Sequence, residues 1–329
     1  MPFVTLINAR EIDRLLPMGA CIEVMARALV DLERGELSQP LRSVFVLPGA
    51  EGAMAWMPAH RAGPQAVFGM KVLCVMPGNP TKGLDSHQGQ VLLADGETGQ
   101  LRAVLDASAV TAIRTAAVSA LATRLLARAN ACVLAIVGTG VQARRHLESI
   151  PLVRPIARVR VAGRTREHAN KFAGEAAARF AFPIEAAENA QAAVRDADIV
   201  VTATSSATPV LAREWLAPGV HVNATGASRP THHELDLETI TDACLFTDRR
   251  ESLEHEAGEY RLAVEKGLIT DSHVAGELGE LLTGKRQGRT SDDQLTLFRS
   301  LGLAVEDLAA AEYVLAKATE SGSGITFDF

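Results

Sequence analysis

The chain is predicted to be an α/β protein, with a Rossmann-type doubly wound parallel sheet and a separate N-terminal α+β domain. Three observations carry this reading. From Ala131 onward, apolar runs of strand length alternate with amphipathic helical segments, the pattern of a parallel sheet covered on both faces. Within that block, VGTGVQA places a glycine turn between a β-branched run and a helical pattern. Before it, the texture changes to short runs split by Gly, Pro and Asp, and 329 residues exceed what one hydrophobic core usually supports.

Taken in order, EVMARALVDLERGEL near Glu23 has helical period. SVFVLPG, AMAWMPA, AVFGMKVLCVMPG, QVLLADGETGQ and LRAVLDA then read as antiparallel strands, with DGETG at Asp95 to Gly99 as a turn between two of them. The block ACVLAIVGTGVQARRHLESI is a strand, a turn and a helix. It is followed by the strand ARVRVAGRT, the helix EHANKFAGEAAARF, and the strands ADIVVTATSS, GVHVNATGAS and DACLFTD. From Ser291 helical period is expected again, in LTLFRSLG and then VEDLAAAEYVLAKA, giving a terminal helix that packs back across both domains. The expected division is 1–118 with 305–329 for the first domain and 119–304 for the Rossmann domain.

Composition narrows the function. With 47% hydrophobic and 22% charged residues and a net charge of −6, the chain has the balance of a globular protein. The acidic balance argues against electrostatic attraction to nucleic acid or anionic lipid and leaves a small-molecule ligand. Cys21, Cys74, Cys132 and Cys244 form no CxxC pair or metal spacing and read as buried thiols in a reducing compartment. The N-terminus lacks the basic start and long apolar core of a secretory signal. The longest apolar run, Ala131 to Val137, is too short to span a bilayer, so no membrane association and a cytoplasmic location are expected.

Gly138, Gly140 and Ala143 have the GxGxxG/A spacing, so Gly138, Thr139, Gly140, Val141 and Gln142 are expected to cradle a dinucleotide pyrophosphate. The second strand ends in Arg164, Thr165 and Arg166, where an NAD-selective site would carry an acid. A guanidinium and a hydroxyl suit a 2′-phosphate, which favours NADPH; NADH stays usable if these arginines only cap a solvated strand end.

Arg42, Lys71 and Arg114 each lie in or beside an apolar run, where a charge is expensive unless paired. If they converge they form an anion site for a small carboxylate; singly, each could instead snorkel or pair with a local acid. His60, His87, His232 and His233 show no helical metal spacing, so no metal site is expected, and Ser205 and Ser206 lack a GxSxG context.

PLRSVFV, GMKV, HQGQVLLADGETGQLRAVLDA, TAIRTAAVSALAT, VGTGVQA, ATGASRPTHHELD and LFRSLGLAVEDLAAAEYVLAKA together resemble the ornithine cyclodeaminase/mu-crystallin family over essentially the whole chain. The resemblance implies a homodimer formed through the N-terminal sheets. It also assigns the substrate carboxylate to Arg42, Lys71 and Arg114, places Met57 in the substrate pocket, and brings Ser323 back toward the site. Arg114, Thr115, Thr204, Gly226 and Ser228 are placed near the cofactor. Where cyclodeaminases of the family carry an Asp, this chain has Ser228, whose hydroxyl is not ionised near neutral pH and offers only a hydrogen bond. His232 stands where lyase relatives have Lys.

The resemblance therefore points to the ketimine-reductase branch. The implied activity is reduction of 1-pyrroline-2-carboxylate to L-proline, and of 1-piperideine-2-carboxylate to L-pipecolate, as in breakdown of hydroxyproline, D-amino acids or lysine. An amino-acid or opine dehydrogenase, an ornithine cyclodeaminase-type lyase, and a non-catalytic NADPH-dependent binding protein are the alternatives on the same scaffold.

Overall fold

The computed structural model describes residues 3–46, 49 and 52–328. In chain order the first elements are β1 (Phe3–Ile7), α1 (Ala9–Leu15), α2 (Met18–Glu33), β2 (Leu37–Ser38), β3 (Ser43–Val46), β4 (Ala53–Arg61), β5 (Val67–Val75), β6 (His87–Asp95), β7 (Leu101–Asp106) and α3 (Ala107–Leu126). The middle of the chain forms β8 (Val133–Val137), α4 (Val141–Ser149), β9 (Arg158–Ala162), α5 (Arg166–Ala177), β10 (Ile184–Ala186), α6 (Ala190–Val194), β11 (Ile199–Thr202) and β12 (His221–Ala224). It continues with α7 (Leu237–Asp242), β13 (Cys244–Thr247), α8 (Arg250–Glu256), α9 (Gly258–Glu265), β14 (Val274–Glu277), α10 (Leu278–Leu282) and β15 (Thr296–Arg299), and ends with α11 (Ala304–Ser321) and β16 (Ile325–Asp328). Two compact units result, Met1–Arg114 with Gly302–Phe329 and Thr115–Leu301. Their edges fall a few residues before 118/119 and 304/305.

The first unit is built on an eight-stranded sheet in the order β16-β1-β7-β6-β5-β4-β2, with β3 also on β4. The meander β4 to β7 is antiparallel as expected, but β1 pairs parallel with β7, so the sheet is mixed. The turn between β6 and β7 forms because the Asp95 carboxylate accepts from Glu97 N, Thr98 N and Thr98 Oγ1, and Gly99 takes a φ of 74°. Alternation sets the two faces: Ala55, Met57 and Ala59 of β4 are buried, whereas Met54 and Trp56 point outward and are exposed. Gly69 lets α11 come close, since a Cβ there would lie 2.8 Å from Leu308 Cδ1. Leu47 and Pro48, read as the end of a strand, lie outside the described residues.

The second unit carries an eight-stranded, wholly parallel sheet in the order β10-β9-β8-β11-β12-β15-β13-β14. The chain moves outward from β8 to β10 and then restarts on the other side at β11. The strand order therefore reverses between β8 and β11, and that is where an open α/β sheet presents its ligand crevice. Ala135, Val200, Val222, Leu245 and Leu297 form the centre of its core.

Two expectations are corrected. LTLFRSLG is not helical: Thr296–Arg299 is the strand β15, inserted between β12 and β13, because an apolar run this short has no decisive period. Of the four cysteines only Cys21 is buried, the others being half-buried at element ends. The terminal helix α11 falls in the first unit, as the expected division has it. Helix α3 is long and apolar enough to cross a membrane, but 83% of its most apolar window is buried within the protein.

Two buried histidines give the second unit an acid limit. His146 bonds Gln142 O and Ser119 Oγ, His221 bonds Thr296 Oγ1, and burial pushes the two imidazoles down to about 4 and about 3. Both folded values lie below the unfolded one, so the stability they contribute is present above about pH 6.5 and is lost as pH falls through that range toward the folded values. Urea unfolding is expected to show a loss of about 2.7 kcal/mol per pH unit from these two groups between about pH 6 and 5. Replacing both by Gln should flatten that slope; an unchanged slope would show that neither is held neutral.

Candidate functional site

The first unit brings the three sequence-identified cations together. Lys71 projects from β5 on the covered face of the sheet, in register with Met57 on β4 and Val91 on β6, and all three are buried. Its ammonium lies 2.5 Å from Asp307 Oδ2 and 3.4 Å from Thr111 Oγ1. Arg114, on α3, donates from Nη1 to Glu306 Oε2 at 2.9 Å and from Nε to Asp307 Oδ1 at 3.0 Å. Arg42, half-buried before β3, donates from Nη2 to Gly302 O at 2.8 Å, and its charge bears on Lys71.

Gly302 is where the two guanidiniums meet. It has a φ of 78°, and a Cβ there would lie 2.5 Å from Arg114 Nη1, so only glycine leaves room for the pair.

Electrostatics explains why this cluster is stable enough to persist. Glu306 and Asp307 lie in the first turn of α11, where the helix N-terminus favours negative charge. Burial pushes the Lys71 ammonium down to about 8, against the opposing pull of Asp307. For Asp307, burial works upward, but Arg114 and Lys71 outweigh it and hold the carboxyl below its ordinary range. The result is a rigid, dry patch with fixed cations and one lysine whose proton is labile near neutral pH.

Ser323 does not join this cluster within the chain. From Asp307 to the end of α11 is about 21 Å at the helical rise, and Ser323 lies beyond that end, bonded to Arg14 Nη2 at 2.6 Å and Ser321 Oγ at 2.8 Å. The long helix separates residues that the resemblance had placed together.

In the second unit, Gly138 follows β8 with a φ of 128°, and a Cβ on it would collide with Ala203 O. Gly140 is the N-cap of α4; no side chain caps that helix, its first turn holds no acid, and nothing lies within 4 Å of where a Cβ would be. Thr139, Val141 and Gln142 complete an open, electropositive helix start that fits the pyrophosphate of a dinucleotide. At the end of β9, Arg164 and Arg166 are exposed and make no hydrogen bond or ion pair among the described residues, while the Thr165 oxygen caps α5 by accepting from His168 N.

The loop after β12 is organised by an acid that the sequence reading passed over. Glu234 is fully buried, and its carboxylate accepts from Thr202 Oγ1, Thr204 N, Thr204 Oγ1 and Gly226 N at 2.6–2.9 Å. Thr204 stands two residues past the end of β11, and its hydroxyl is committed to this bracket. Gly226 is likewise structural, since a Cβ would collide with Thr204 O and the Glu234 carboxylate. Ser228 is exposed at the loop's outer end, with no hydrogen bond among the described residues, and Thr115 is buried on α3.

Glu234, Glu306 and Asp307 are thus the acids missed in the sequence. Glu234 stands in the polar stretch THHELD and the other two in the first turn of a helix, so nothing local marks any of them as buried.

If Asp307 holds up the Lys71 proton, the lysine should titrate near pH 8 by NMR of its side-chain nitrogen, and lower in Asp307→Asn. Because its folded value is depressed, the stability Lys71 contributes is present above its unfolded value and is lost as pH falls through about 8. The same titration in Asp307→Asn as in wild type would refute this coupling.

A profile of the Ornithine cyclodeaminase/mu-crystallin family matches residues 4–322. The chain is 37% identical, over 98% of its length and 99% of the relative's, to a delta(1)-pyrroline-2-carboxylate reductase of Bacillus cereus (strain ZK / E33L). It superposes with a TM-score of 0.94 and 33% identity on the Thermococcus litoralis delta(1)-pyrroline-2-carboxylate reductase in complex with NADH and L-proline, covering 98% of this chain and 99% of that one. An archaeal alanine dehydrogenase dimer with bound NAD gives a TM-score of 0.93 at 33% identity, covering 99% of each chain. The chain belongs to the ornithine cyclodeaminase/mu-crystallin family.

Proposed function

We propose that this protein is an NAD(P)H-dependent reductase of cyclic ketimino acids, converting 1-pyrroline-2-carboxylate to L-proline and 1-piperideine-2-carboxylate to L-pipecolate. The observation that carries the reading is the convergence of Arg42, Lys71 and Arg114 on one buried spot, in a chain whose other unit has a dinucleotide turn. Support comes from the Bacillus cereus relative and from the archaeal reductase in complex with NADH and L-proline.

The chemistry asks little of acid–base groups. Bound reduced nicotinamide supplies a hydride. Arg42, Lys71 and Arg114 hold the substrate carboxylate, with Met57 beside Lys71 as the apolar wall. Held in that way, the ring can offer C2 in one orientation, which is chiefly positioning and electrostatics. The iminium brings its own proton; C2 gains the hydride, the C=N double bond becomes single, and the nitrogen keeps its proton as an amine. Ser228 hydrogen-bonds the ring nitrogen or a water. It does not replace the carboxylate that deamination of ornithine would use.

NADPH is the preferred carrier in this reading, because Arg164 and Arg166 are exposed cations at the end of β9 with no nearby acid before Glu167. The protein works as a homodimer joined through the first unit's sheet, whose outward face exposes Phe45, Met54, Trp56, Phe68 and Met70. The alanine dehydrogenase relative, itself a dimer, supports that arrangement and keeps a second reading open, reductive amination of a small keto acid. A cytoplasmic location fits both.

Absorbance decay of NADPH with purified protein and each cyclic imine tests the proposal, with NADH, pyruvate plus ammonia, and L-ornithine as parallel arms. Turnover of a cyclic imine is expected, at least tenfold better with NADPH than NADH, the preference reversing in Arg164→Asp. Ser228→Ala should lower turnover about tenfold, the worth of one hydrogen bond, with little change in cofactor affinity. Turnover only with pyruvate and ammonia, or ammonia released from ornithine, would overturn the assignment.

A further inference from the structure

The loop that carries Ser228 is gripped from beneath by a second buried ion pair. Arg299, at the end of β15, and Glu259, the second residue of α9, are both fully buried, and Arg299 Nε lies 2.6 Å from Glu259 Oε1. With Nε beside the acid, the rest of the guanidinium faces the loop: Nη1 donates to Ala224 O at 3.2 Å and Nη2 to Ala227 O, the carbonyl immediately before Ser228. Nη1 also donates to Ser300 O at 3.0 Å, tying the arginine to its own strand end. The same helix start touches the far side of the loop, because a Cβ on Gly258 would collide with His232 O and lie 2.8 Å from Pro230 O.

A fully buried ion pair is a poor way to gain stability, since desolvating both charges offsets most of their attraction, and apolar residues of similar volume are often as good or better. This one does something that apolar residues could not, which is to tie the Ala227 carbonyl of an otherwise irregular loop to the Ala224 carbonyl at the end of β12, where the loop begins. Glu234 fixes the loop's amide side at Gly226, while Arg299 fixes its carbonyl side at Ala224 and Ala227. Between them Ser228 is left exposed on a backbone that is held on both sides.

We infer that Arg299 and Glu259 are positioning residues that set the Ser228 loop for turnover; they do not touch substrate. The inference rests on the reductase reading for its kinetic consequence, but not for its structural one.

The test uses the full-length protein with Arg299→Met/Glu259→Met, which removes both charges together, and with Arg299→Lys, which keeps the charge opposite Glu259 but can reach fewer carbonyls. Three quantities are read: amide hydrogen exchange of a peptide spanning residues 225–229, NADPH affinity, and kcat with the cyclic imine. The double variant is expected to exchange at that peptide at least tenfold faster, to bind NADPH within threefold of wild type, and to lose about tenfold in kcat, as expected of Ser228→Ala, with KM within threefold. Arg299→Lys should fall between, and it carries the test alone if the double variant does not fold. Wild-type exchange at residues 225–229 would refute the grip itself, whatever the protein's substrate. Faster exchange with kcat within twofold of wild type would refute the positioning role. If wild type reduces no cyclic imine, the reductase reading fails while the exchange result still decides the grip.

Discussion

Two adjacent acids at the start of α11 make the first unit's chemistry possible. Without Glu306 and Asp307, Arg114 and Lys71 would be buried cations with no counter-charge, and a site of that kind deprotonates its lysine or does not fold. With them, two cations stay fixed against a dry sheet face, and Arg42 is drawn to the same place through Gly302 O. The arrangement explains why the end of the chain returns to the first unit: α11 is both the cover of the sheet and the source of its counter-charge.

The second unit follows the same economy on a different scaffold. Its sheet leaves a glycine turn and an uncapped helix start at the point where strand order reverses, and the adjoining loop is irregular backbone that needs its own restraints. Glu234 supplies acceptors on one side and Arg299 supplies donors on the other. In both units a buried charge serves to fix geometry near a place where a small anion or a cofactor is expected.

What could be read in the sequence follows from how local each signal is. The glycine turn was legible because Gly138 and Gly140 answer to a local backbone demand, and the strand–helix alternation around them is periodic over many residues. The three cations were legible because charge inside an apolar run is conspicuous. Glu306 and Asp307 were not: at the head of a helix an acid pair reads as ordinary first-turn charge, and only tertiary packing reveals that this turn is buried. Arg299 and Glu234 were hidden for the same reason, since their side-chain partners Glu259, Thr202 and Thr204 lie about 30 to 40 residues away and the rest are backbone groups that no side-chain pattern announces. Ser323 was misplaced because family resemblance carries an identity but not the length of helix that separates it from Asp307.

The most direct measurement of the central claim is the fate of the hydride. NADPH carrying deuterium at C4, prepared in both stereochemical forms, would be turned over with 1-pyrroline-2-carboxylate and the product examined by NMR and chiral chromatography. The account predicts L-proline with deuterium at C2 from one of the two forms. Unlabelled proline, label at any other carbon, or no proline at all while the nucleotide is oxidised, would contradict it.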